Sequence, residues 1–400
     1  MRILFADGLS DSAVERLRAG GDECVMKPSL TADDLPAHVA GFDALVVRST
    51  RVTGPAMEAG TNLGLVVRAG AGTNTIDFQR AAELGIFVCN VPGRNAVAVA
   101  ELAMGLVFAT DRHIASSTAD ARAGSWNKKA YSSARGLYGS TLGIIGMGAI
   151  GLETAQRAAA CGIKVVTEDK ARSRSVRQRM ADIGVVTVPD LDAVLAAADI
   201  VSLHVPGGPG TTGMVDAGFL AKMKHDAVLI NTSRGEVVDE AALLDALNST
   251  DMRAGIDVFA DEPTSGTGPV DSALARHPKV TVTHHIGAST NQAQEAVAEG
   301  TVEVLEEYRT GSIINCVNLE QAPHRTATLS VRHYDRVGVL ASVLQEIRGC
   351  SLNVANMSNR IFAGSQAAVA TIDVFGAVDQ QLLDAVRALP DVIQVSAFDA

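Results

Sequence analysis

Cysteine is scarce in this chain, as are aromatic residues, and positive charge is outnumbered by negative. Five cysteines stand among 400 residues, at positions 24, 89, 161, 316 and 350. They are odd in number and never in C-x-x-C spacing, which disfavours a disulfide framework and sets the expectation of reduced thiols in the cytoplasm. No His/Cys cluster has the spacing of a metal site, so no metal is expected. Aromatic residues make up 4% of the chain, which leaves the cores to Ala, Val, Leu, Ile and Gly, as in α/β packing. Lys and Arg number 34 against 45 Asp and Glu, a net charge of -11, and this balance argues against a general nucleic-acid or anionic-membrane binder. The longest apolar helical stretch, Ala96 to Ala109, carries Glu101 and is too short to span a bilayer. The opening Met1-Arg-Ile-Leu-Phe-Ala-Asp7 reads as a strand ending in Asp, not as a signal peptide. A 47% hydrophobic content is too high for disorder, and the length allows two or three domains.

Short apolar runs alternate with amphipathic segments through the first 290 residues. Arg2–Ala6, Ala44–Arg48, Leu65–Arg68 and Phe87–Asn90 form one series. Thr141–Gly146, Lys164–Thr167, Ile200–Val205, Ala227–Asn231, Ala254–Val258 and Val280–Thr283 form a second. Buried strands with helical crossovers predict two doubly wound parallel sheets. One long helix from about Asn95 to Ala123 is expected to join them. The tail differs: Ala327–His333 alternates with period two, and the order that follows is β-α-β-β-α-β, the ferredoxin-like unit. Leu319 to Arg325 reads as a linker.

Residues 143–151 read Gly-Ile-Ile-Gly-Met-Gly-Ala-Ile-Gly, with G-x-G-x-x-G at Gly146, Gly148 and Gly151 after an apolar strand and before an Ala-rich helix. In this context the first Gly permits a tight turn, the second lets backbone approach a pyrophosphate, and the third lets helix and sheet pack closely. The helix start at Ala149 and Ile150 offers free N–H groups to the phosphates. Asp169 follows the second strand at the spacing of a ribose-binding acid and favours NAD. Arg172 and Arg174 leave NADP open.

Three further strands end in polar residues that would gather at the carboxyl edge of a sheet. Arg234 follows one, Asp257 and Glu262 another, His285 the third. Hydride exchange between a nicotinamide and an alcohol also moves one proton, which His can carry near neutral pH. A carboxylate beside that His favours its protonated form, and an Arg can grip a substrate carboxylate bidentately.

With these residues in view, the chain resembles the D-isomer-specific 2-hydroxy acid dehydrogenases, and within them the branch that oxidises phosphoglycerate. The matching segments are Arg48-Ser49, Arg68 to Asn74, Asn90 to Asn95, Val99 to Glu101, the glycine loop, His204-Val-Pro206, Asn231 to Gly235, the Asp257/Glu262-Pro263 stretch and His285 to Thr290. The resemblance implies His285 as acid/base, Glu262 as its partner and Arg234 on the carboxylate. It places Gly70, Ala71 and Asn74 at the carboxylate and Arg48 and Arg68 at the rest of the substrate. It also places His204, Pro206, Thr211, Thr212, Thr232, Ser233, Asp257 and Gly287 around the cofactor. The implied organisation is a discontinuous substrate-binding domain (1–94 and 291–318), a Rossmann-like NAD-binding domain (95–290) and a C-terminal domain (325–400). His284 stands where the family has Pro, and Lys170 replaces another usual Pro.

The tail resembles an ACT domain, on His333 to Leu340 and Leu352 to Met357. That implies a homodimer or homotetramer and an L-serine effector near His333, Asp335 and Asn353; the other expectation is a dimerisation module without ligand. The expected activity is NAD-dependent oxidation of 3-phospho-D-glycerate to 3-phosphohydroxypyruvate, which feeds L-serine synthesis. Other 2-hydroxy acids (glycerate/hydroxypyruvate, D-lactate, 2-hydroxyglutarate) and an NAD-sensing corepressor are the alternatives.

Overall fold

The computed structural model describes residues 1–263, 267–268, 271–320 and 324–399. The chain divides into two compact units, Met1–Asn318 and the residues from Leu319 onward. The expected linker 319–325 includes residues 321–323, which lie outside the described residues.

The first unit holds two parallel sheets, as the two series of apolar runs predict. β1 (Arg2–Phe5), β2 (Glu23–Met26), β3 (Ala44–Val47), β4 (Leu65–Arg68) and β5 (Phe87–Asn90) pair in the order β2-β1-β3-β4-β5. β6 (Thr141–Ile145), β7 (Lys164–Glu168), β8 (Val186–Val188), β9 (Ile200–Leu203), β10 (Val228–Asn231), β11 (Arg253–Ile256) and β12 (Val280–Val282) pair in the order β12-β11-β10-β9-β6-β7-β8. Every residue of β3, β9 and β10 is buried, because helices cover both faces of a doubly wound sheet. Each strand order reverses once, between β1 and β3 in the first sheet and between β6 and β9 in the second. Ligands bind at such switch points, outside the carboxyl ends of the strands.

Two details depart from expectation. The sequence pattern misses β2 and β8, an edge strand of each sheet, because half-exposed residues dilute the apolar run. The joining helix is two helices, Ala96–Asp111 and Ile114–Arg122, since His113 takes a left-handed φ of 53° that no helix continues through. Helix Asn291–Arg309 returns to the first sheet, where Ala298, Val302, Val304 and Leu305 pack with Ile3, Phe5, Val46 and Val67. No helix among the described residues is long and apolar enough to cross a membrane.

The second unit is one antiparallel sheet with β13 (Ala327–Tyr334), β14 (Asn353–Ile361), β15 (Ala367–Phe375) and β16 (Val392–Asp399) in the order β14-β15-β13-β16. Helices Val339–Gly349 and Gln380–Ala388 contribute Val343, Ile347, Leu382 and Val386 to a core with Leu329, Val331, Ala370 and Ile372.

Candidate active site

A cleft of about 1360 Å³ opens at the carboxyl ends of strands from both parallel sheets. Arg48, Arg68 and Gly70 line it from the first sheet, and Asp257, Glu262 and His285 from the second.

The His285 loop is held from below by Asp257, which is 1% exposed at the end of β11. The Asp257 backbone carbonyl accepts the His285 N–H at 2.7 Å. Its carboxylate accepts the Thr283 hydroxyl at 2.6 Å and the N–H groups of Ile286 and Gly287 at 3.0 Å each. So fastened, His285 adopts a φ of 53°, a left-handed backbone that an imidazole-bearing residue keeps only when its surroundings impose it. The ring then meets Glu262, with Nδ1 to Oε2 at 2.6 Å. The other Glu262 oxygen accepts the Phe259 N–H at 2.9 Å.

Each member of this pair alters the other. The hydrogen bond to Glu262 raises the His285 pKa above its ordinary value. Burial opposes that, and the charges of Glu262 and Asp257 reinforce it against the Arg234 cation. For Glu262, burial pushes its pKa up, but hydrogen bonds from His285 and the Phe259 amide, with the nearby cations, leave it below the usual value. An Nδ1–H donated to Glu262 leaves Nε2 of the neutral ring as a lone pair facing the cleft. Replacing Glu262 by Gln is expected to lower the His285 pKa. For a reaction in which neutral His285 takes the proton of an alcohol, the acid limb of the pH profile then moves to lower pH. The alkaline limb of the reverse reaction, which needs the protonated ring, moves the same way. Profiles of kcat/KM in both directions check this; unmoved limbs would show that Glu262 does not tune the base.

Arg234 reaches the site from β10. The Asn231 amide Oδ1 accepts the Ser233 N–H (3.0 Å) and hydroxyl (2.8 Å), while Nδ2 donates to the Arg234 carbonyl (3.0 Å). Gly235 lets this loop press on the next, since a Cβ there would stand 2.0 Å from the Phe259 carbonyl carbon. The guanidinium donates to the Ser233 carbonyl at 2.6 Å and extends across to the first sheet, where a Cβ on Gly72 would lie 2.5 Å from Nη2. Gly70, with φ +148°, gives Arg68 its path: a Cβ there would overlap Arg68 Nη1 at 1.6 Å. The Asn90 amide donates to the Ala71 carbonyl at 2.7 Å and ties that loop to β5. Arg234 acts on the cleft residues His285 and Glu262 through its charge, and its guanidinium lies beside Gly72 and the loop of Asn74.

The glycine loop occupies the switch point of the second sheet. A Cβ on Gly146 would meet the His204 carbonyl oxygen at 2.3 Å, and one on Gly151 the Gly146 carbonyl oxygen at 2.2 Å, while Gly148 has open space. Helix Ala149–Ala160 begins there with no side-chain cap on its N–H groups. Two buried polar atoms nearby have no protein partner, Thr232 Oγ1 and His204 Nδ1. The His204 ring is neutral, its pKa pushed down to about 4 by burial. These features fit a dinucleotide, with pyrophosphate on the helix N-terminus. Exposed Asp169 donates its N–H to the Val188 carbonyl. Its neighbour Glu168 is buried and pairs with Lys170 at 2.8 Å. Thr211 and Thr212 donate their hydroxyls within their own loop, to the carbonyls of Pro206 and Gly208.

Several lining residues were missed by the sequence reading, among them Ser10, Asn291 and Gln294. Ser49, quoted beside Arg48 in a matching segment but given no role there, lines the cleft at the end of β3. His284 lines the cleft beside His285. In the second unit, the His333 ring is buried, with Nδ1 on the Tyr334 carbonyl (2.8 Å) and Nε2 on Asn359 (3.2 Å), while Asp335 and Asn353 are exposed.

Residues 104–287 match the family model of the D-isomer specific 2-hydroxyacid dehydrogenase, NAD binding domain. A hydroxypyruvate reductase of Thermotoga maritima is 41% identical over 76% of this chain and 96% of its own length. A D-3-phosphoglycerate dehydrogenase of Methanocaldococcus jannaschii is 34% identical over 92% of this chain. The chain spans 64–68% of the length of such phosphoglycerate dehydrogenases. Among solved structures, the TT0316 protein of Thermus thermophilus superposes with a TM-score of 0.70 at 32% identity, over 79% of this chain and 100% of that one. Identity at this level along nearly the whole of one relative, with the matching domain model, settles the affiliation: the chain belongs to the D-isomer specific 2-hydroxyacid dehydrogenase family, a family of NAD-dependent oxidoreductases.

Proposed function

We propose that this dehydrogenase oxidises 3-phospho-D-glycerate to 3-phosphohydroxypyruvate with NAD. The observation that carries the reading is a group of three arginines, Arg48, Arg68 and Arg234, with no ion-pair partner among the described residues. Arg68 has its pKa lowered to about 10 by burial and by the charges of Arg234 and Arg48. Cations gathered at such cost call for anions. A substrate carboxylate accounts for Arg234. Arg48 and Arg68 then suit a second anionic group, as a phosphorylated hydroxy acid has and lactate or glycerate lacks.

In the proposed reaction Arg234 holds the carboxylate and the reacting oxygen, which fixes the hydroxyl before His285. His285 Nε2 takes the hydroxyl proton, and Glu262 stabilises the imidazolium that forms. The hydride of C2 would pass to a bound NAD, which is the chemistry that group would supply. Gly146, Gly148 and Gly151 admit its pyrophosphate, and Thr232 and His204 offer it their unpartnered atoms.

The 41% identical hydroxypyruvate reductase favours a second reading, in which the physiological substrate is unphosphorylated hydroxypyruvate. Initial rates decide between them. Under the first reading kcat/KM is highest for 3-phospho-D-glycerate among it, D-glycerate, D-lactate and 2-hydroxyglutarate. Arg48→Ala then lowers that value by about 30-fold, the worth of one charged contact, and hardly changes the value for D-glycerate. Preference for the unphosphorylated acids would establish the second reading. For the second unit we infer an ACT-type regulatory module in a homo-oligomer, with L-serine as effector, on its β-α-β-β-α-β order. His333, with both ring nitrogens engaged, serves there as framework.

A further inference from the structure

The first sheet reverses its strand order between β1 and β3, and the loops that follow these two strands both line the cleft. They are joined by one side chain. Asp7 Oδ2 accepts the backbone N–H groups of Arg48 (2.7 Å), Ser49 (3.0 Å) and Thr50 (2.9 Å). Consecutive amides converging on one point form an anion-binding nest. Here the protein's own carboxylate fills the nest, so these amides are not available to a ligand. What the loop still offers the cleft is the side chains of Arg48 and Ser49.

We propose that Asp7 is a positioning residue for the phosphate end of the substrate: by filling the nest it fixes the backbone from which Arg48 and Ser49 meet that group. The inference rests on the reading that Arg48 and Arg68 hold a phosphate. It goes beyond that reading, because Asp7, which itself lines the cleft, is assigned its role through the loop it holds and not through a contact with substrate. The arrangement also explains a negative charge within an anion site. Three amide contacts on Oδ2 offset the Asp7 charge within the loop, and its field also falls on Arg68, which it helps to keep protonated.

Kinetics of Asp7→Ala beside Arg48→Ala test this. Asp7→Ala should raise KM for 3-phospho-D-glycerate about tenfold with kcat nearly kept, the signature of lost ground-state positioning. KM for D-glycerate and the dissociation constant for NADH should stay as in the unaltered protein. Added formate, a small carboxylate able to occupy the emptied nest, should recover part of the lost affinity, and chloride at the same ionic strength should not. If Asp7→Ala does not fold, as judged by circular dichroism, Asp7→Asn carries the test. Its uncharged amide oxygen should give a smaller KM rise, again confined to the phosphorylated substrate. The proposal is overturned if KM for phosphoglycerate is unchanged in the folded variant, if both substrates suffer equally, or if formate has no effect. Should Arg48→Ala raise KM for phosphoglycerate while Asp7→Ala does not, the positioning role fails and the assigned substrate stands. If the unaltered enzyme does not favour phosphoglycerate over D-glycerate, both fail together.

Discussion

His285→Ala is expected to lower turnover about 1,000-fold while leaving NADH affinity nearly unchanged, because a positioned acid/base contributes roughly 100- to 10,000-fold. The proposed proton path has one group at its centre. The Asp257 carboxylate holds the loop on which His285 sits, and Glu262 takes Nδ1 at 2.6 Å. Alanine removes Nε2, and neither neighbour can replace it: Asp257 is committed to three donors and Glu262 sits behind the ring. The cradle at Gly146 to Gly151 belongs to another loop, so NADH titrated by fluorescence should bind the variant as before. Steady-state rates at saturating substrate give the turnover. Rates within tenfold of the unaltered enzyme would assign the proton to another group, and His284, which also lines the cleft, would be tested next.

The second large effect is expected at Arg234. Arg234→Ala should reduce kcat/KM about 1,000-fold, equivalent to about 4 kcal/mol, the range found when one partner of a desolvated charge pair is truncated. Arg234→Lys should recover only part of this, since a point charge cannot grip carboxylate and reacting oxygen together. Both variants also carry a pH signature. The Arg234 cation holds the His285 pKa down, so its loss should raise that pKa and move the acid limb of oxidation upward, opposite to Glu262→Gln. The full profile of kcat/KM against pH checks the sign. A lysine variant with full activity would show that charge alone suffices.

Much of the fold and site was legible because strand ends are legible. Apolar runs closed by Arg234, Asp257 and His285 place three polar groups at one sheet edge before any coordinate is known, and the glycine spacing finds the switch point of the second sheet. The break at His113 was not legible, because an Ala-rich, apolar run reads as helix through one residue whose left-handed backbone is set by tertiary packing. The edge strands β2 and β8 were hidden for the same reason that makes them edges: partial exposure removes the apolar signal. Asp257 was expected beside the cofactor. Its carboxylate also holds the His285 loop, through groups 26 to 30 residues away that no spacing rule encodes. Nor could spacing show that Arg234 crosses to Gly72, or that Gly70 is there to clear the Arg68 guanidinium.

The return of helix Asn291–Arg309 to the first sheet has a consequence for synthesis. Val302 and Leu305 complete the apolar layer over Ile3 and Phe5, so the sheet made first is finished last. A ribosome adding roughly 5–20 residues per second needs on the order of ten seconds or more to pass from β5 to that helix. During this interval the apolar face of the opening strands is covered only in part, by Ala13 and Leu17 of the first helix, while the glycine-loop sheet, contiguous in the chain, can close by itself. The emerging chain thus assembles its middle before its beginning, and the N-terminal strands are the segment most in need of shielding on the way.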